Sequence, residues 1–463
     1  MNSYEIFVSV NGDSYGKGVK DMLQDMKVYR RKLDMSRFWE KVQLFSHDFL
    51  KCCLYLCEVE PSRQTFTKKL YSELISSSKL LEDFLDFHGA KNNKEWYYYR
   101  ELVASARNLS AAAYIVKHIF TRFPSYGLDH TENFQEEGLK THKFLTTALR
   151  RISAAALTEA NSLNIQFPED RFCWDDFPGI YTSEILDYNI DDKDTVQEKR
   201  NLVKIATEFI KVSREFDSLG FYEPCSTEEM KVIVPEKINE EEMRRFEMIV
   251  HNMQSSFDTY VNRSGQRFEN TKLKQMRGFI SVVLHLMDLC QRLLHYYERH
   301  LYEVGYKNIY KVVRDRLAKL ISPEDLMDRT VNYCLFNICQ FLTRGQALAK
   351  EVLNENIERS SIKVAIPEKM GFHCRPSLLV AKIVQHYGGE VELCIGSDRF
   401  DASSVLDLQW AGGKIQKENI KDVVFEGDTR ALRDIEILAS VNYGEDAMGK
   451  GIPLPKELNY LKH

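Results

Sequence analysis

From about Gly18 to Glu358 apolar residues recur at intervals of three and four, as in Leu202, Ile205, Ala206, Phe209, Ser213 and Phe216. That spacing lays one apolar stripe along one side of an α-helix. It predicts helices over 19–33, 36–58, 62–88, 93–122, 139–163, 195–218, 239–262, 266–304, 306–320 and 323–357. Long helices joined by short connections bury their stripes by packing antiparallel, so residues 1–357 are expected to form an all-helical bundle region. One boundary carries its own signal: in Ser322-Pro323-Glu324-Asp325 a capping serine precedes proline and two acids in the first turn. Between Asn164 and Asp194 the period stops. Pro168 and Pro178 appear there with a run of acids (Glu169, Asp170, Asp175, Asp176, Asp187, Asp191, Asp192, Asp194). This stretch reads as a connector and is a candidate division between two bundles.

After Asn354-Glu355-Asn356 the period changes from 3.6 to 2: Ile362, Val364 and Ile366 alternate with Ser361, Lys363 and Ala365. A second domain therefore starts near residue 360. Its first strand ends at Pro367, Glu368–Phe372 makes a turn, and His373-Cys374-Arg375-Pro376 opens a helix that reaches about residue 387. Leu378, Leu379, Val380, Ala381, Ile383 and Val384 give that helix a broad apolar face, and Gly388-Gly389 ends it with residues that accept positive φ. His373 is then at or beside the N-cap.

An imidazole in that position meets free backbone N–H groups and the positive end of a helix dipole, and it titrates near neutrality, so it is suited to accept a phosphoryl group. Arg375 can bind two phosphoryl oxygens in a fork that lysine cannot copy. Cys374 shares the terminus and is taken with Arg375 as phosphate-binding, with a redox role as a lesser alternative. Gly371-Phe-His-Cys-Arg-Pro376 resembles the active-site motif of HPr, the histidine-containing phosphocarrier protein of the bacterial sugar phosphotransferase system. The likeness continues over Glu390–Ile395 and Arg399–Ala402 as strands, Ser403–Gly412 as a short helix, Val423–Gly427 as a strand and Thr429–Ala439 as a final helix.

The resemblance implies a small α/β open-faced sandwich of order βαββαβα over 360–445, with 446–463 as a C-terminal extension. It also implies that His373 is a phosphoryl carrier site, not the centre of a turnover enzyme, loaded by an Enzyme I-like donor and discharged to an unknown acceptor. Ser404 matches a serine that is phosphorylated for regulation in part of the family, although an N-cap role suits it equally well. The family's docking surface would here include Leu378, Lys382, Val405, Leu406 and Gln409. The chain departs from the pattern at Cys374 and Asp407, and the segment 413–422 is longer than the corresponding loop. Residues 360–445 carry ten Lys and Arg against thirteen Asp and Glu, so no basic field would steer an acidic donor.

Composition narrows the remaining options. The 463 residues are 44 % hydrophobic and 28 % charged, with a formal net charge of −5. Such a chain is expected to fold throughout, and it carries no electrostatic footprint for nucleic acid. No stretch reaches the length of a membrane span, the ten cysteines form no C-x-x-C pair, and the start lacks a basic flank before an apolar run. The expected location is the cytoplasm. The acidic connector lacks the spacing of a calcium loop, His285, His295 and His300 lack an H-E-x-x-H arrangement, and no metal or cofactor is expected. Trp96-Tyr97-Tyr98-Tyr99 is expected to fill a bundle core or a surface groove. Residues 1–358 contain no nucleotide-binding, hydrolase or kinase motif. Two readings stay open: a phosphocarrier whose helical part binds a partner or assembles a homo-oligomer, or a non-catalytic regulator or scaffold in which the HPr-like domain controls or docks the helical region. A cover from the helical region over His373 favours the regulator, and an open imidazole favours the carrier.

Overall fold

The computed structural model describes residues 15–62, 64–128, 133–179, 195–261, 271–302, 305–368, 370–446 and 448–462, with side chains from residue 37 onward and from residue 199 after the connector. The chain is mostly helical, with a small four-stranded antiparallel sheet near the C-terminus. The helices are α1 (Tyr15–Glu58), α2 (Lys68–Phe87), α3 (Tyr97–Arg122), α4 (Phe134–Ser162), α5 (Thr195–Asp217), α6 (Thr227–Ile233), α7 (Glu240–Ser256), α8 (Thr271–Tyr296), α9 (Asn308–Leu320), α10 (Pro323–Asp328) and α11 (Phe336–Asn356). The C-terminal part follows as β1 (Arg359–Ala365), α12 (Cys374–Tyr387), β2 (Val391–Ile395), β3 (Asp398–Asp401), α13 (Val405–Glu418), β4 (Asp422–Asp428) and α14 (Thr429–Ser440). Among the described residues no helix is long and apolar enough to cross a membrane. Asp187, Asp191, Asp192 and Asp194 of the acidic connector lie outside the described residues.

Two compact units divide the chain: residues 1–114, 143–181 and 300–321 form one, and 115–142, 182–299 and 322–463 the other. In the first, α1 meets α2 through stacked Phe38, Phe45 and Phe84, with ring centroids 5.6 Å (Phe38) and 4.6 Å (Phe45) from Phe84. The aromatic run is core: Trp96 lies edge-on to Phe38 and Trp39, and the buried Tyr99 hydroxyl donates to Ser46 Oγ at 3.1 Å. This core also holds charge. Buried Arg100 pairs with Glu82, Asp86 and Glu101 at 2.7–2.8 Å, and His300 Nδ1 lies 2.7 Å from the far oxygen of Glu101. Such charges are tolerated inside a bundle only when paired.

In the second unit α5, α8 and α11 bury Phe209, Ile280, Val283, Phe341 and Leu342. Gly345 allows the Phe209 ring to press against α11, where an added Cβ would meet the ring at 2.7 Å. Here the helical periodicity predicts boundaries imperfectly. The stretch expected as one helix over 323–357 is α10, a π-helical turn at Arg329–Leu335 and α11. The chain stays helical through the π turn, so no break in helical character marks it in the sequence. α1 runs without the expected break at 34–35, and α6 was not expected, although Ser226 and Glu229 form a reciprocal capping box at its start.

The sheet order is β1-β4-β2-β3, antiparallel throughout, with Ile362 opposite Phe425 and Leu393 opposite the same residue on the other side. Strand alternation turns Val364, Leu393, Ile395, Val423 and Phe425 toward the buried faces of α12, α13 and α14. The other face carries Lys363, Glu392, Arg399 and Glu426, where Arg399 bridges Glu392 and Glu426. The segment expected as a lengthened loop over 413–422 is instead the second half of α13, which ends at Asn419 in a left-handed conformation. The C-terminal extension packs into this core: Leu458 and Leu461 are buried, and the Tyr460 ring stacks on His386 at 4.0 Å.

Helices α5 and α11 touch the C-terminal end of α12. Gly388 ends that helix at φ +76, with Ile210 and Leu353 around it. Thr207 Oγ1 donates to Tyr387 O at 3.3 Å, Asn354 Oδ1 accepts from Glu390 N at 3.0 Å, and Arg214 donates to Gln385 O. The N-terminus of α12 is about 20 Å along the axis from this seam, at 1.5 Å per residue.

Candidate functional site

The chain reaches His373 through two successive left-handed residues, Met370 (φ +61) and Gly371 (φ +58). Glycine takes that conformation at no cost, whereas methionine does so under about 1 kcal/mol of strain. Phe372 then anchors the turn by burying its ring against Phe425 and Tyr443. On the other side α13 presents Gly412, where an added Cβ would stand 2.8 Å from Phe372 O. A glycine is needed for that close approach. Ser377 Oγ donates to Phe372 O at 3.2 Å and locks the turn to the first turn of α12.

His373 is the N-cap, in extended backbone conformation, and its side chain does not cap the helix. The imidazole is free to face outward from the terminus, and 28 % of it is accessible. Its Nε2 lies 3.1 Å from Oε2 of Glu445. A carboxylate accepts and does not donate, so Nε2 is the donor in this contact, and in the neutral ring that tautomer leaves the lone pair on Nδ1. Arg375, one residue into the helix, has Nη1 3.8 Å from Oε1 of Glu445 and 3.5 Å from the carbonyl of Gly449.

Glu445 did not emerge from the sequence as a site residue. It lies 72 positions beyond His373 and arrives through three successive left-handed residues, Asn442 (φ +49), Tyr443 (φ +56) and Gly444 (φ +77). Tyr443 is held in that conformation by burial and by donating its hydroxyl to Ala365 O at 2.9 Å. The turn swings the Glu445 side chain into the site, where it is 1 % exposed. Its Oε1 has no hydrogen-bond partner among the described residues. The site thus contains an imidazole, a guanidinium, a helix N-terminus and a buried carboxylate whose Oε1 is ion-paired with Arg375 but not hydrogen-bonded.

The other expected site residues fall as follows. Cys374 is the first residue of α12 and is exposed. Leu378 and Leu406 are exposed, Val405 is partly buried against the core, and Gln409 is half-buried. Lys382 is turned to the C-terminal extension, with Nζ donating to Leu461 O at 3.3 Å. α12 and α13 pack against each other and run antiparallel, since Gln385 Nε2 near the end of α12 donates to Ser403 O at 2.8 Å just before α13, while Gln416 Nε2 near the end of α13 donates to Met370 O at 3.3 Å. Met370 and Trp410 are also exposed and were not anticipated. Ser404 caps α13, accepting from Asp407 N at 3.2 Å. No family model, curated protein or solved structure matches this chain.

Away from this site, His285 lies against the His118 ring at 4.4 Å, and His295 Nδ1 is 3.0 Å from Glu240. Among the described residues no group of three or more His, Cys, Asp or Glu side chains is placed to hold a metal ion. Of the groups whose protonation burial perturbs, His142 is held down to about 4 and Cys52 is pushed up to about 12. Both lie far from His373 in sequence.

Proposed function

We propose that the C-terminal α/β part is an HPr-like phosphocarrier domain that accepts a phosphoryl group on Nδ1 of His373, with the helical region serving partner binding or assembly. The observation that carries this reading is the partly exposed imidazole at the N-terminus of a 14-residue helix, with Arg375 beside it, inside the motif Gly371-Phe-His-Cys-Arg-Pro376. Neutral Nδ1 supplies the electron pair, the helix terminus and guanidinium bind the phosphoryl oxygens, and no metal has to be recruited. The Leu378, Leu406, Met370 and Trp410 side chains would form the apolar part of a docking surface for donor and acceptor proteins.

A second reading is supported by the seam of α5 and α11 on the far end of α12. In it the α/β part is a regulatory module whose phosphorylation state is passed to the helices it is fastened to. The side chain lying on His373 comes from the C-terminal segment, so the carrier reading is favoured over a helical cover. The test is incubation of the purified chain with Enzyme I, HPr and phosphoenolpyruvate, followed by intact mass at alkaline pH. One added phosphoryl group in the wild type and none in His373→Ala supports the carrier. No addition, with folding verified, turns the balance to the regulatory module.

A further inference from the structure

The Glu445 carboxylate is 1 % exposed, and its two oxygens are used differently. Oε2 accepts from Nε2 of His373 at 3.1 Å. Oε1 stands 3.8 Å from Arg375 Nη1 and takes no hydrogen bond. The carboxylate therefore balances the guanidinium charge without occupying one of its donors, and the fork's own hydrogen bond is a 3.5 Å contact to Gly449 O. A carboxylate taken out of water is costly unless it is paired, and these two groups are its partners.

The backbone that delivers this carboxylate is tied to the segment that delivers the histidine. Asn442 Oδ1 accepts from Glu368 N at 3.0 Å, and Asn442 Nδ2 donates to Glu445 O at 3.1 Å. One side chain thus joins the turn before His373 to the residue that faces it. Tyr443, next in the chain, is buried and donates to Ala365 O at 2.9 Å at the end of β1. Gly444 (φ +77) passes against Leu454, where an added Cβ would meet Cδ2 at 2.8 Å, and its carbonyl accepts from Ile452 N at 2.9 Å. Glu445 therefore hangs on fixed backbone, and the left-handed residues that carry it hold their strain because the surrounding core determines them. A side chain held in this way has little orientational freedom left to lose when chemistry begins.

We infer that Glu445 is a positioning residue for the phosphoacceptor: it keeps the proton of the neutral imidazole on Nε2, leaves the Nδ1 lone pair for phosphorus, and balances the positive charge the ring gains when the Nδ1–P bond forms. This role rests on the phosphoacceptor reading of His373. A neutral imidazole has two tautomers, and only the one protonated at Nε2 attacks through Nδ1. A carboxylate on Nε2 selects that tautomer, since it accepts and cannot donate. Once Nδ1 has bonded phosphorus and Nε2 has kept its proton, the ring is cationic. The carboxylate stands where it stabilises that cation, in surroundings drier than bulk water. A buried acid behind a histidine performs the same two tasks in hydrolases with a Ser-His-Asp triad. Arg375, a cation beside the carboxylate, opposes its repulsion of the incoming phosphoryl oxygens.

Phosphoramidate tests this on the full chain without any protein donor. The Nδ1 lone pair attacks phosphorus, the P–N bond of phosphoramidate breaks and ammonia leaves with that electron pair, while the imidazole keeps its proton on Nε2. Site-resolved peptide mapping at alkaline pH reads the initial rate at His373 in the wild type, Glu445→Gln and Glu445→Met, with folding checked by circular dichroism. Loss of the charged partner is expected to slow loading about tenfold in both variants. Glutamine matches glutamate in size, so a role in packing alone would leave Glu445→Gln at the wild-type rate. Long-range proton–nitrogen spectra of protein isotope-labelled at its histidine nitrogens, recorded above the histidine titration range, read the tautomer itself, with His373→Ala for assignment. The wild type is expected to carry the His373 proton on Nε2, and both variants to gain a population protonated at Nδ1. A wild-type ring protonated at Nδ1 overturns the role whether or not the variants fold. Variant rates equal to or above that of the wild type also overturn it and leave the phosphoacceptor standing. An unmodified His373 in the folded wild type removes the phosphoacceptor reading and the positioning role with it.

Discussion

The placement of His373 at the N-cap of α12 and of Arg375 in its first turn was legible in the sequence because both belong to one short motif at a helix start. Their partner Glu445 was not, because its position depends on a turn of three left-handed residues after α14, and Tyr443 at the centre of that turn gives no warning of positive φ. Asn442 and Gly444 are the only sequence hints, since both residue types tolerate the left-handed region. The same locality makes the role of Arg375 testable. Replacing its fork by an ammonium keeps the charge and removes bidentate binding, so Arg375→Lys is expected to slow loading of His373 by about tenfold. The check is the initial rate of phosphohistidine formation at that residue.

At the scale of elements, the change of period from 3.6 to 2 near residue 360 located the start of the α/β part, and Ser322 marked α10. What the period missed had physical causes. The π-helical turn between α10 and α11 keeps the chain helical, so no breaker marks it, and α13 continues past Gly412-Gly413 because each glycine weakens a helix by only about 1 kcal/mol. That same Gly412 joins helix to site. Its missing Cβ makes room for Phe372 O, so Gly412→Ala must displace either α13 or the turn that carries His373. We expect a loss of about 1–3 kcal/mol in urea unfolding, the range for an overpacked contact, together with slower loading of His373. An unchanged unfolding midpoint would mean that the close approach relaxes at no cost.

Across the whole molecule, helices dominate and their apolar stripes announced them, whereas the division into two units interleaved along the chain left no mark in composition. Sequence proximity and spatial grouping part company wherever distant helices exchange core side chains. The buried charges of the helical region set its response to pH. Burial holds the His142 imidazole down to about 4, below the 6.5 of a free histidine, so the unfolded chain binds the proton more tightly. Its contribution to stability is complete above pH 6.5 and is lost as pH falls toward 4, at up to about 1.4 kcal/mol per pH unit for one proton. His142→Asn is expected to flatten unfolding free energy between pH 6.5 and 4.5 relative to the wild type, as read by denaturant titration at each pH.

Phosphorylation of His373 itself is most directly tested by mapping every histidine of the wild-type chain after phosphoramidate treatment, with peptides kept at alkaline pH throughout. If His373 is the acceptor, the peptide spanning residues 370–382 carries a phosphoryl group on that imidazole, and His373→Ala loses this modification while the other histidines react as before. Phosphoryl groups scattered over the other exposed histidines, with none at His373 of the folded protein, would contradict it.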